Sequence, residues 1–102
     1  MQKTELKFNS QVCTTKIQSQ RLLELGLKPE TADMYIFDDE VYIGKPNIDD
    51  IPAWSLHRLL CMLDYDYADT FNIMPNLAYE DVIATISLRI GCGAFNKEYL
   101  KQ

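Results

Sequence analysis

The sequence predicts an α+β domain: a small antiparallel sheet, made of a hairpin and a third strand, packed by three amphipathic helices. Three observations predict it. Leucine and isoleucine recur at helical spacing in three separate stretches. Between the first two lie a pair of aromatic and β-branched runs, Met34-Tyr35-Ile36-Phe37 and Val41-Tyr42-Ile43, parted by acids. The chain is 102 residues long, which suits one hydrophobic core. Helices segregated from a short antiparallel sheet are the α+β solution to burying those faces.

Leu6 and Phe8 alternate with Lys7 and Asn9, so residues 1–14 read as a short strand or an extended arm. Thr15-Lys16-Ile17-Gln18 has the spacing of a capping box, in which the Thr15 hydroxyl and the Gln18 side chain satisfy each other's backbone N–H groups. It opens a helix over 16–25, with Leu22, Leu23 and Leu25 on the apolar side and Gly26 as the left-handed stop. Residues 34–44 form the hairpin. Its Asp38-Asp39-Glu40 loop lacks glycine, which disfavours a two-residue primed turn and favours three or more loop residues.

Gly44 to Asp50 reads as a surface connection, and Pro52 suits a first helical turn, where its missing N–H is harmless. A helix over 53–63 follows, with Leu56, Leu59, Leu60 and Leu63 at i, i+3, i+4 and i+7. Thr70-Phe71-Asn72-Ile73-Met74 alternates and is the expected third strand. The last long helix spans 78–90, its stripe Tyr79, Val82, Ile83, Ile86 and Ile90. Glu80 and Asp81 at its start and Arg89 at its end complement the dipole, and Gly91 and Gly93 end it.

The net charge of −5 conceals a pattern. Residues 30–81 carry twelve acids and only Lys45 and Arg58 as bases, a net of −10; the flanking segments are weakly basic. That middle repels a phosphate backbone and attracts a basic surface. Its plainer role is solubility together with cap and turn chemistry. Nucleic acid as a partner would need Lys3, Lys7, Lys16, Arg21 and Lys28 to converge on one face. No apolar run is long enough to span a bilayer, and the N-terminus has no secretory pattern. Cys13, Cys61 and Cys92 are an odd set with no Cys-x-x-Cys pair, which points to free thiols and a cytoplasmic setting.

Motifs for catalysis or cofactors are scarce. His57, Cys61 and Asp64 fall at i, i+4 and i+7, a thiol, imidazole and acid on one helix. No glycine-rich nucleophile turn accompanies them, and a helical histidine beside a packed cysteine is the ordinary alternative. Asp64, Asp66 and Asp69 fail the calcium-loop pattern, with Ala68 at position 5 and Pro75 at position 12. There is no phosphate-binding glycine motif, because Gly91-Cys92-Gly93 follows a helix and does not precede one. No cofactor, metal or small-molecule ligand is predicted. Six tyrosines and one tryptophan are the more telling feature, since such side chains supply amphipathic contact area at interfaces. The candidate binding residues are therefore Trp54, His57, Tyr65, Asp66, Tyr67 and Asp69.

Several segments carry a resemblance. Gln20 to Leu27, Glu30 to Met34, Ile51 to Leu60 with its Trp54-Ser55-Leu56, and Tyr79 to Ala84 resemble segments of small proteins encoded by gut anaerobes and their phages or mobile elements. That resemblance implies an accessory protein of a bacterium or phage and no catalytic residues. The expectation is a non-catalytic protein that binds another protein, a second copy included, through the hairpin edge or the tyrosine-rich acidic loop. The alternatives are an acidic DNA mimic that inhibits a nucleic-acid enzyme, and a small Cys/His enzyme.

Overall fold

The computed structural model describes residues 11–65, 73 and 77–101. It shows an α+β domain with a three-stranded antiparallel sheet. The order along the chain is α1 (Lys16–Glu24), a 3₁₀ turn (Pro29–Thr31), β1 (Met34–Phe37), β2 (Glu40–Ile43), β3 (Ile51–Ala53), α2 (Leu56–Met62), α3 (Tyr79–Gly91) and a second 3₁₀ turn (Lys97–Tyr99). No described helix is long and apolar enough to cross a membrane.

α1 begins with the expected capping box: the Gln18 N–H donates to Thr15 Oγ1, and the Thr15 N–H donates to Gln18 Oε1. It ends in a Schellman motif, the Gly26 N–H reaching Leu23 O and the Leu27 N–H reaching Leu22 O, with Gly26 at φ 109°. α3 closes in the same way at Gly93, φ 79°. α2 does so without glycine. Asp64 takes φ 64° there, its N–H donating to Cys61 O while the Tyr65 N–H donates to Leu60 O. Aspartate is among the few non-glycine residues that visit this region routinely.

The sheet corrects three expectations. Its order is β2-β1-β3, and the third strand is Ile51–Ala53. The strand expected at 70–74 lies outside the described residues except for Ile73. Pro52 is therefore in a strand and not in a helical turn, directly opposite Tyr35. Proline is tolerated because β3 is an edge, so the missing N–H faces away from the ladder. α2 accordingly starts only at Leu56, capped by the Ser55 hydroxyl on the Arg58 N–H. The hairpin loop holds two residues: Phe37 pairs with Glu40, and Asp38 and Asp39 both have positive φ, 54° and 65°. That is the type I′ signature, reached with aspartates where glycine is commoner.

Two apolar clusters hold the domain together. The larger joins Leu22, Leu27, Leu59, Leu60, Leu63, Val82, Ile83 and Ile86 around Trp54. The smaller lies under the sheet and contains Cys13, Met34, Ile36 and Ala53 with Ile51. The helices thus pack largely around one another and Trp54, with α1 running along β3 and α2 against α3.

Candidate functional site

The predicted site residues separate by depth. Trp54 is completely buried (0% exposed) at the centre of the larger cluster. Its indole N–H donates to Thr31 Oγ1 at 3.0 Å, its backbone N–H donates to Thr14 Oγ1 at 3.1 Å, and its carbonyl accepts from the Thr14 N–H at 2.9 Å. Next to it Asp33 receives the Ser55 N–H at 2.9 Å and the Ser55 hydroxyl at 2.6 Å, which fixes the entry to α2. The Arg58 Nε donates to Thr31 O at 2.7 Å, and its guanidinium lies over the Tyr99 ring. Trp54-Ser55 is thus an organiser of the interior.

His57 is exposed on α2, with Nε2 3.5 Å from the half-buried Cys61 Sγ. Asp64 lies beyond the last turn of α2, in the left-handed stop, so the helical series His57, Cys61, Asp64 is broken at its third member. Tyr65 is partly exposed. The Arg89 guanidinium sits over its ring at 5.3 Å from the centroid, and Arg89 Nη2 donates to its hydroxyl at 3.1 Å. Asp66, Tyr67 and Asp69 lie outside the described residues. A cleft of about 260 Å³ lies beside Tyr65, lined by Leu60, Leu63, Leu77 and Val82, and larger open clefts of about 420 and 410 Å³ lie beside Ile48 and Pro52 and beside Asp33 and Arg58. Among the described residues no three His, Cys, Asp or Glu side chains come together to hold a metal ion.

Four of the described acids are engaged within the fold. Asp33 holds Ser55, Asp50 accepts from the Asn47 N–H at 2.8 Å, and Asp39 pairs with Lys16. Glu80 accepts from Gln18 Nε2 at 2.8 Å and from Arg21 at 3.0 Å. These donors hold the Glu80 carboxyl below the ordinary carboxylate range, the Gln18 amide contributing most and Arg21 next; Lys16 does the same for Asp39.

The surface feature that stands out is the hairpin edge. Every residue of β2 is exposed: Val41 (44%), Tyr42 and Ile43 (86%), with Glu40 beside the turn. Phe37 at the end of β1 adds a further exposed ring (53%). Tyr35 and Tyr42 stack across the two strands, centroids 5.2 Å apart and planes 14° apart. The opposite edge of the sheet differs. There β3 carries Pro52 at its centre, and Thr14 takes both the N–H and the carbonyl of Trp54 just past its end. Among the described residues, one border is thus closed by proline and threonine, and the other is open and apolar. The hairpin edge is one of the two docking surfaces expected from the sequence, but the candidate residues Trp54, His57, Tyr65, Asp66, Tyr67 and Asp69 do not include this row. The signal available in the sequence was a hairpin strand, Glu40-Val41-Tyr42-Ile43, with none of the lysine or proline that usually blunts an edge.

No protein-family model matches this chain, and neither the curated proteins nor the solved structures gave a significant match.

Proposed function

We propose that this protein acts by binding another protein through the β2 edge, without catalysis. One observation carries the reading: a strand edge that no described residue pairs with, and Phe37, Val41, Tyr42 and Ile43 in solvent beside it. Edge strands are normally blunted, because their free N–H and C=O groups recruit other chains. Strand addition uses those groups for affinity and the alternate side chains for selection. Burying an isoleucine or phenylalanine side chain contributes about 1.5–3 kcal/mol, so this row supplies a binding core of useful size. The three free thiols support a reducing, cytoplasmic setting, and the resemblance supports an accessory role in a bacterium or phage.

The test compares wild type with Ile43→Lys as baits in a pull-down from the native host, with Glu98→Lys as a surface control. A stoichiometric protein, self included, held by wild type and the control and lost with Ile43→Lys is the expected result. Circular dichroism confirms that the variants fold. Identical binding by all three baits would overturn the reading.

A further inference from the structure

We infer that the occupant of this edge is β2 of a second copy, paired antiparallel about a two-fold axis through Tyr42, so that two three-stranded sheets join as one of six strands. This rests on the reading of β2 as the docking edge and names its partner.

The phase of the ladder shows which groups are on offer. Proline has no N–H, so Tyr35 and Pro52 form a non-hydrogen-bonded pair, and Met34 and Ile36 make the bonds to β3. The alternate residues of β1, Tyr35 and Phe37, therefore bond towards β2, where they face Tyr42 and Glu40. The Gly44 N–H donating to Asp33 O at 3.0 Å keeps the same phase. Val41 and Ile43 are left with N–H and C=O pointing away from the sheet.

A two-fold pairing must set outward residues against outward residues, which leaves three registers. An axis at Val41 places Ile43 opposite the turn residue Asp39. An axis at Ile43 places Val41 opposite Lys45. An axis at Tyr42 places Val41 opposite Ile43 of the second copy, twice over, and Tyr42 opposite itself. That register alone matches every apolar residue with an apolar one, which is what fixes strand register. It also brings Lys45 of each copy to the turn end of the other, where Asp38, Asp39 and Glu40 cluster, so the charges are complementary.

Both faces of the joined sheet are satisfied. Val41 and Ile43 are opposite Ile36 and Met34, on the face of the smaller core cluster, so a second copy covers the open end of that cluster. On the other face the stacked Tyr35 and Tyr42 continue into the same pair of the second copy.

The experiment has two parts. Light scattering after size exclusion should give twice the 11.8 kDa chain mass at high concentration for wild type, and the single-chain mass for Ile43→Lys. Tyr42→Cys, in a Cys61→Ser and Cys92→Ser background, should oxidise to a disulfide-linked dimer, because Cα atoms of a facing non-hydrogen-bonded pair lie about 4.5 Å apart, within disulfide reach. Glu40→Cys in the same background should stay unlinked, its two copies being four residues out of register, roughly 13 Å apart. A dimer that Ile43→Lys leaves intact, or that links at position 40 and not at 42, overturns the inference. So does a wild-type chain that is a monomer at every concentration; in that case loss of a different captured protein with Ile43→Lys leaves the docking reading standing, and its retention removes both.

Discussion

The indole N–H of Trp54 donates to the hydroxyl of Thr31, 3.0 Å away in a site closed to water. The same hydroxyl donates onward to Lys28 O at 2.7 Å, so one threonine joins the tryptophan to the 3₁₀ turn before β1. Buried groups stripped of such a partner cost about 1–3 kcal/mol. Trp54→Phe and Thr31→Val should each lower stability by about that much, about 4–8 °C in thermal midpoint per kcal/mol for a domain of this size. The double variant should lose less than the sum, because each change has already removed the shared bond. Additive losses in a urea or thermal cycle would refute a coupled pair.

Stability should fall with acid in a defined window. The Glu80 and Asp39 carboxyls are held below their ordinary range by Gln18 and Arg21 and by Lys16, so in the folded state they release protons more readily than in the unfolded chain. A depressed carboxylate contributes fully above its unfolded value, about 4, and loses that contribution as pH falls through its folded value. The thermal midpoint should therefore drop between about pH 5 and pH 3. The Glu80→Gln, Asp39→Asn double variant should give a shallower curve. An unchanged slope would show that neither carboxylate is linked to folding.

Asp64 offers a test of backbone conformation. At φ 64° it occupies the region where a side chain costs roughly 1–2 kcal/mol and glycine costs nothing. Urea midpoints should rank Asp64→Gly at or above wild type, and Asp64→Val lowest, by about 1–2 kcal/mol. If glycine is as damaging as valine, the carboxylate and not the backbone matters there.

The three thiols should react in order of access. Cys92 is exposed, Cys61 half-buried beside His57, and Cys13 buried. Burial pushes the Cys13 thiol up, and the negative charge of Asp33 adds to the effect, so little thiolate forms. Mass spectrometry of timed alkylation should show Cys92 labelled first and Cys13 labelled only on unfolding. Equal rates for Cys13 and Cys92 would contradict that burial.

What could be read in the sequence was local. The capping box at Thr15 and Gln18, the stop at Gly26 and the stripe along α3 depend on residues three or four apart, and all appear as expected. Pro52 shows where local reading ends. Its fixed φ suits a first helical turn and an edge strand equally, and only the pairing of β3 with β1 decides. The Asp38-Asp39 turn is tighter than the missing glycine predicts, because aspartate also tolerates the positive φ that glycine more commonly supplies. Trp54 gave no local sign of its depth, since an amphipathic ring suits an interface and an interior alike; distant Thr14 and Thr31 supply the partners that make burial affordable. A hairpin edge as a docking surface is legible in the sequence, but which of its two strands forms the border depends on the order β2-β1-β3, which no window of sequence contains.

Pro52 and Thr14 have a consequence for how many molecules gather. With one border shut among the described residues, the proposed strand addition would be a single event: a pair joined at β2 would turn its proline-blocked flanks to the surroundings. Crowding the solution further should therefore yield a finite particle of fixed stoichiometry, with no growing filament.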